Sequence, residues 1–371
     1  MKIFHLADTH IGYSAYNKLD ADGYNQREMD VCSAFSQVVE AALTDCPDLV
    51  LHCGDLFDTV RPSNRAISFV MGELLKLSDA GIPTVIISGN HSTPRLRETG
   101  SVFRVFEHVK GLHLAYTGKC ERFSFDNLMV HALPHSADKE LFETELDSLR
   151  PDPDFTDNIA MLHSGVAGLD AFRMSEFNEL MAKGNQLDRG FEYVALGHFH
   201  QHIRATESAV YSGSTERMGF GEVGQPKGFI ELDSGSGKWK FRELKIRPMM
   251  DLPWVDCAGL RSDDVFRTVL GNIEKADIGD AIVRQKLTSI DRKEFGHLDT
   301  AAIRKAASEA LHFELRPAII DSGQSVASQE AAFDSLEREF SAYIGKADMG
   351  RMDPEELEKL GLEYLKPEES E

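Results

Sequence analysis

This chain is short of cysteine, of long apolar runs and of positive charge. Five cysteines occur in 371 residues (Cys32, Cys46, Cys53, Cys120 and Cys257), an odd number with no C-x-x-C pair. That excludes a dense disulfide framework and a Cys-type structural zinc site, and a reduced cytoplasmic setting is expected. No apolar run approaches the roughly 20 residues that span a bilayer. The opening Met1-Lys-Ile-Phe-His-Leu-Ala-Asp8 turns polar too soon for a signal peptide, so no membrane partner is expected. Lys and Arg number 40 against 61 Asp and Glu, a formal charge of −21. Such a balance argues against broad, non-specific affinity for nucleic acid, which rests on basic side chains. Bound metal ions can offset part of it locally. There is no internal repeat and no low-complexity tract.

What is present is alternation. Lys2–Ala7, Asp48–His52 and Thr84–Ile87 read as short buried strands. Gln26–Leu43 and Asn64–Leu77 between them repeat apolar residues at helical spacing. This β-α-β-α-β order implies a parallel sheet with right-handed crossovers. A helix is expected at Arg95–Val109, and then mainly strands to about residue 245. The stretch from Arg247 to Pro253 reads as a linker. Residues 254–321 read β-α-β-α-β, a small second domain. Two amphipathic helices are expected within 328–365, and 366–371 as a disordered tail.

Five of the expected strands end in metal-type ligands. Asp8-Thr-His10 follows the first, and Asp55 follows Leu49-Val-Leu-His-Cys-Gly. Gly89-Asn90-His91 follows the third, His163 follows Ala160-Met-Leu, and Gly197-His198-Phe-His200 follows Val194-Ala-Leu. Each motif alone is weak: a lone Gly-Asp is commonly a turn, and a lone His is commonly structural. Five at strand ends are another matter, because the carboxyl ends of parallel strands open onto one crevice. Neighbouring positions in one sheet are expected for these strands. Asp55 can bridge two cations about 3.5–4 Å apart. Mixed O and N donors suit Mn, Fe or Zn better than Ca or Mg.

In that order, D-x-H, G-D, G-N-H, H and G-H-x-H resemble the calcineurin-like metallophosphoesterases. His5-Leu-Ala-Asp-Thr-His-Ile-Gly-Tyr13, Gly54-Asp-Leu-Phe57, Arg61-Pro62 and Tyr211-Ser-Gly-Ser-Thr-Glu-Arg217 narrow the resemblance. It is to archaeal-like DNA double-strand-break repair nucleases of the meiotic-recombination-eleven/SbcD type. The resemblance implies an α/β fold: a four-layer αββα sandwich over 1–247, a capping domain over 254–321, and C-terminal helices at 328–365. It implies two Mn2+ per subunit, with Mg2+, Fe or Zn as alternatives. Asp8, His10, Asp55 and His200 would hold one ion; Asp55, Asn90, His163 and His198 the other. His91 would protonate or stabilise the leaving oxygen. The implied activity is 3′–5′ exonuclease and single-strand endonuclease action on break ends. Implied partners are DNA, a coiled-coil ABC ATPase of the SbcC type that docks on the C-terminal helices, and a second copy in a homodimer.

Two positions depart from the pattern: Asp58 stands where relatives often have His, and Ser92 where they usually have an acid. Both leave the ligands intact and bear on rate and exonuclease polarity. A weakly catalytic DNA-end-binding scaffold, or a phosphodiesterase for a small diester, are the alternatives. His202 would share a face with His198 and His200 in an extended segment, but a turn after Gly197 is expected, which gives His202 a supporting or surface role. Arg61, Arg65, Arg95, Arg97, Lys227 and Arg217 are candidates for DNA phosphate contacts. His52 reads as a core residue, and His131 and His135, flanking Pro134, read as structural with lining of the crevice as the alternative.

Overall fold

The computed structural model describes residues 1–94, 100–169 and 180–320, with isolated residues between 340 and 362. The expected helices at 328–365, the tail, Arg95 and Arg97 lie outside these or largely so. Residues 2–244 form two six-stranded sheets packed face to face. The first runs Lys238–Glu243, Gly228–Asp233, Lys2–Leu6, Leu49–Cys53, Thr84–Ile87, Leu112–Ala115. The second runs Ile203–Arg204, Ala209–Tyr211, Tyr193–Gly197, Asp157–His163, Leu128–Leu133, Glu121–Phe125.

Both faces of each sheet are covered, which is why the central strands are apolar without alternation. Between the sheets, Ile3, Leu49, Leu51, Val85 and Ile87 meet Val130, Ile159, Met161, Ala195 and Val210. Outside the first sheet, helices Gln26–Asp45 and Asn64–Asp79 bring Phe35, Val38, Val70 and Leu74 onto Phe4, Val50 and Ile86. Asn25 and Ser63 cap these two helices with their side chains. Outside the second sheet, helix Lys139–Ser148 brings Phe142 and Leu146 onto Leu133, Leu162 and Leu196. The result is four layers, αββα.

The expected single sheet is therefore corrected. The strands before Asp8, Asp55 and Asn90 are neighbours in one sheet, and those before His163 and His198 are neighbours in the other. An apolar run signals a strand buried on two sides, not which sheet it joins. Other differences are local. The expected helix at Arg95–Val109 is, where described, the 3-10 segment Val102–Phe106. Lys139–Ser148 was not foreseen, since its only two buried positions stand among acidic residues. The expected linker contains a strand, Met249–Asp251, paired in parallel with Ile282–Asp291. Ile282–Asp291 also pairs in parallel with Val255–Asp256 and His312–Ile320. Helices Ser262–Lys275 and Thr300–Ala306 cover one face of this third sheet through Val265, Val269, Ile273 and Ile303. Among the described residues no helix is long and apolar enough to cross a membrane.

Candidate metal centre

The strands that matter run parallel within each sheet, so their carboxyl ends share one edge of the sandwich. The loops leaving that edge are tied to one another. The Asp8 amide donates to the Gly54 carbonyl and the His10 amide to the Asp55 carbonyl, each at 3.0 Å. The His91 amide donates to Asp55 Oδ1 at 2.9 Å. From the second sheet, the His198 amide donates to the Asp8 carboxylate at 3.0 Å. His163 Nδ1 bonds the Cys53 carbonyl at 2.8 Å.

Two glycines permit this closeness. A Cβ on Gly197 would lie 1.9 Å from the Cys53 carbonyl oxygen. One on Gly54, whose φ is +94°, would lie 2.1 Å from His163 Nδ1. Asp8, His10, Asp55 and His198 all have positive φ (52°, 46°, 51° and 98°). Side chains rarely accept that conformation, and where they do it clusters at functional sites.

The side chains converge in overlapping groups. Ligand atoms of Asp8, His10 and His200, of Asp8, Asp55 and His163, and of His10, Asp55 and His91 lie within 4.8 Å of one another. Asn90 Oδ1 sits 2.9 Å from His163 Nε2 and 3.1 Å from His198 Nδ1. His163 Nε2 is 3.2 Å from Asp55 Oδ2, and His10 Nε2 is 4.0 Å from the same oxygen.

The outward ring nitrogens are engaged: His10 Nδ1 with Asp58 at 3.1 Å, His200 Nδ1 with Glu222 at 2.8 Å, and His163 Nδ1 with the Cys53 carbonyl. Those acceptors make each Nδ1 the donor, so once a ring has lost its second proton its Nε2 turns a lone pair inward. His10 and His200 bring their Nε2 atoms to 3.1 Å of each other. Positive charge must lie among these nitrogens and buried carboxylates, and either ring protons or a metal ion in their place can supply it. The donor set therefore fits divalent metal.

The electrostatics follow from burial and these neighbours. Burial pushes Asp8 above the usual carboxylate range, with His163 and His200 opposing it. Burial would do the same to Asp55, but His163, His10 and His91 outweigh it and hold Asp55 well below that range. Burial would lower His163, yet Asp55 and Asp8 carry it up to about 9. Burial lowers His198 to about 3, with the charge of His163 adding to the effect.

The calcineurin-like phosphoesterase family matches residues 1–202. The chain belongs to this family. Among phosphoesterases it is similar to proteins named DNA double-strand break repair protein Mre11. That of Methanococcus maripaludis is 29% identical over 60% of this chain and 59% of the relative. That of Methanocaldococcus jannaschii is 32% identical over 58% and 57%. That of Haloferax volcanii is 28% identical over 76% and 60%. The chain thus spans half to two thirds of the length of the curated relatives it matches.

Within this phosphoesterase, the remaining sequence candidates divide. His91 is exposed at the mouth, its ring edge-on to His10 with centroids 4.8 Å apart. Its Nδ1 donates to the Asp58 carbonyl at 2.7 Å. Asp58 thus holds His10 by its carboxylate and His91 by its backbone. Ser92 is buried, its amide bonded to the Gly89 carbonyl, and its hydroxyl meets no partner among the described residues. Arg61 is exposed on the loop beyond Asp58. His202 lies apart from the ligands, and the expected turn after Gly197 is present. The backbone turns at His198, so His202 leaves the cluster, stacks on Phe241 at 4.3 Å and bonds the Tyr211 carbonyl.

Lys227 is a correction. It is fully buried and bonds the His200 carbonyl, Ser214 and Glu222, which removes it from any phosphate-binding surface. Arg217 is engaged by the Gln225 carbonyl, and Arg65 by Glu28 and the Tyr24 ring. His52 and His131 are buried and structural as expected, bonding Thr9 and Asn158. Glu222 was missed. It stands 22 positions from His200, in a segment with no period that would announce it.

Proposed function

We propose that this chain is a nuclease that uses two divalent metal ions, Mn2+ for preference, to process DNA double-strand-break ends as 3′–5′ exonuclease and single-strand endonuclease. The observation that carries the reading is the pair of donor groups around Asp55 with one exposed imidazole, His91, at their mouth. Asp8, His10, Asp55 and His200 would hold one ion, and Asp55, Asn90, His163 and His198 the other. Such a pair, when bound, supplies charge stabilisation to the attacking and leaving oxygens at phosphorus. The protein's own part is orientation and proton transfer. Asp58 anchors His91 through Nδ1, leaving Nε2 to give a proton to the leaving oxygen as the P–O bond breaks. The relatives' names support DNA as the substrate. In this reading 1–247 is the catalytic unit, 254–321 the cap beside it, and an SbcC-type ATPase and a second copy complete the assembly.

His91→Ala should lower Mn2+-dependent cleavage of linear DNA by about 10²- to 10⁴-fold and leave Mn2+ binding unchanged. Cleavage at the wild-type rate would remove His91 from the mechanism. The charge of −21 favours a second reading, a small phosphodiester as substrate. Turnover of a chromogenic diester faster than that of DNA would decide for it.

Metal binding must also depend on pH. His163 carries a proton below about 9, because Asp55 and Asp8 outweigh the burial that would lower it. An ion has to displace that proton. Apparent Mn2+ affinity should therefore rise from pH 6 to pH 8, by up to about tenfold per unit for one proton released. Calorimetry in buffers of different ionisation enthalpy measures both quantities; a flat profile without proton release contradicts the assignment.

A further inference from the structure

Beyond the ligands themselves, we infer that Glu222 is a positioning residue for one metal site only, and that the third sheet fixes it there through Arg284. This rests on the two-ion reading above. Glu222 closes the 3-10 turn Phe220–Glu222. One carboxylate oxygen holds His200 Nδ1 at 2.8 Å, and the other receives Lys227 Nζ at 2.7 Å and the Met218 amide at 3.2 Å. Lys227 in turn donates to the His200 carbonyl and to Ser214 Oγ, each at 2.8 Å. His200 is therefore gripped at its ring and at its backbone by one ion pair, its lysine buried and its carboxylate partly so.

A carboxylate on the far nitrogen of a ligating imidazole fixes the ring and strengthens the near lone pair. The other ligand histidines use different partners: His10 has Asp58, and His163 has the Cys53 carbonyl. Loss of Glu222 touches His200 and leaves Asn90, His163 and His198 with their contacts.

The turn that carries Glu222 does not stand alone. The Arg284 guanidinium lies over the Phe220 ring, 4.4 Å from its centroid, and approaches the Phe220 carbonyl at 3.5 Å. Asp251 clamps the same guanidinium at 2.6 and 2.9 Å. Asp251 and Arg284 belong to neighbouring strands of the third sheet. From there to His200 the path runs from Arg284 to Phe220, then through the 3-10 turn Phe220–Glu222 to Glu222 and its bond to His200. The placement of the third sheet thereby biases the Asp8, His10, Asp55 and His200 site.

The test is Mn2+ titration calorimetry on the full chain, with EPR of the bound ions and thermal melting alongside. Wild type should bind two Mn2+ with an exchange-coupled EPR signal. Glu222→Ala should weaken one binding event by about 10- to 100-fold, leave the other within about threefold, and give an isolated-ion signal at one equivalent. Arg284→Met should weaken the same event by a smaller factor. If Glu222→Ala fails to fold, Glu222→Gln, which keeps the shape and loses the charge, must show the same selective loss. Two events weakened equally, or neither changed, would overturn the inference while the two-ion reading stands. A wild type binding fewer than two Mn2+ overturns both.

Discussion

Asp55→Asn should lower Mn2+-dependent phosphodiester cleavage by about 10³-fold or more and reduce bound Mn2+ from two ions to at most one. Asp55 is buried; its Oδ2 faces His163 at 3.2 Å and His10 at 4.0 Å, while its Oδ1 takes the His91 amide. Both proposed ion sites draw on this carboxylate, and a metal contributes several kcal/mol to such a reaction; about 4 kcal/mol is about 10³-fold. Asn is the informative replacement. It keeps the size, tolerates the positive φ of 51°, and can still accept from the His91 amide. What it removes is the charge. Circular dichroism and melting should therefore stay close to wild type while ions and activity are lost, which separates this outcome from misfolding. Retention of both ions with activity intact would show that Asp55 does not bridge.

Gly197→Ala should destabilise the chain by about 3 kcal/mol or more, a fall in melting temperature of roughly 6–12 °C for a domain of this size. The added methyl would sit 1.9 Å from the Cys53 carbonyl oxygen and 2.9 Å from Ala7 Cβ. Neither neighbour can yield cheaply, since both are main-chain-fixed positions at the ends of central strands. Relief requires the two sheets to part where they carry Asp8 and His198, so metal affinity should fall with stability. Gly72→Ala is the control. Gly72 lies within helix Asn64–Asp79 with nothing near its would-be Cβ, and alanine there should be neutral or stabilising by up to about 1 kcal/mol. Equal melting temperatures for the two variants would contradict the close-packing account of Gly197.

What could be read in the sequence and what could not follow one physical division. The ligands were legible because each lies just past an apolar run that ends in a glycine or a turn, a local signal. Asp8, His10, Asp55, Asn90, His163, His198 and His200 come together in the fold. The assignment of strands to sheets was not legible, since Leu49–Cys53 and Tyr193–Gly197 are equally buried and equally apolar. His202 would share a face with His198 and His200 only in an extended segment; the turn expected after Gly197 is found at His198 and removes that relation. Glu222 and Lys227 were hidden for another reason. Their value lies in meeting His200 across 22 and 27 positions, and charged residues in a Gly-rich loop ordinarily face water. Only tertiary packing turns them into a largely shielded pair.

The measurement that bears most directly on the central claim is anomalous X-ray diffraction at the manganese edge from crystals of this chain grown with Mn2+. Two peaks about 3.5–4 Å apart, both within ligand distance of Asp55, are the expected result. A single peak, or peaks that leave Asp55 uncoordinated, would contradict it.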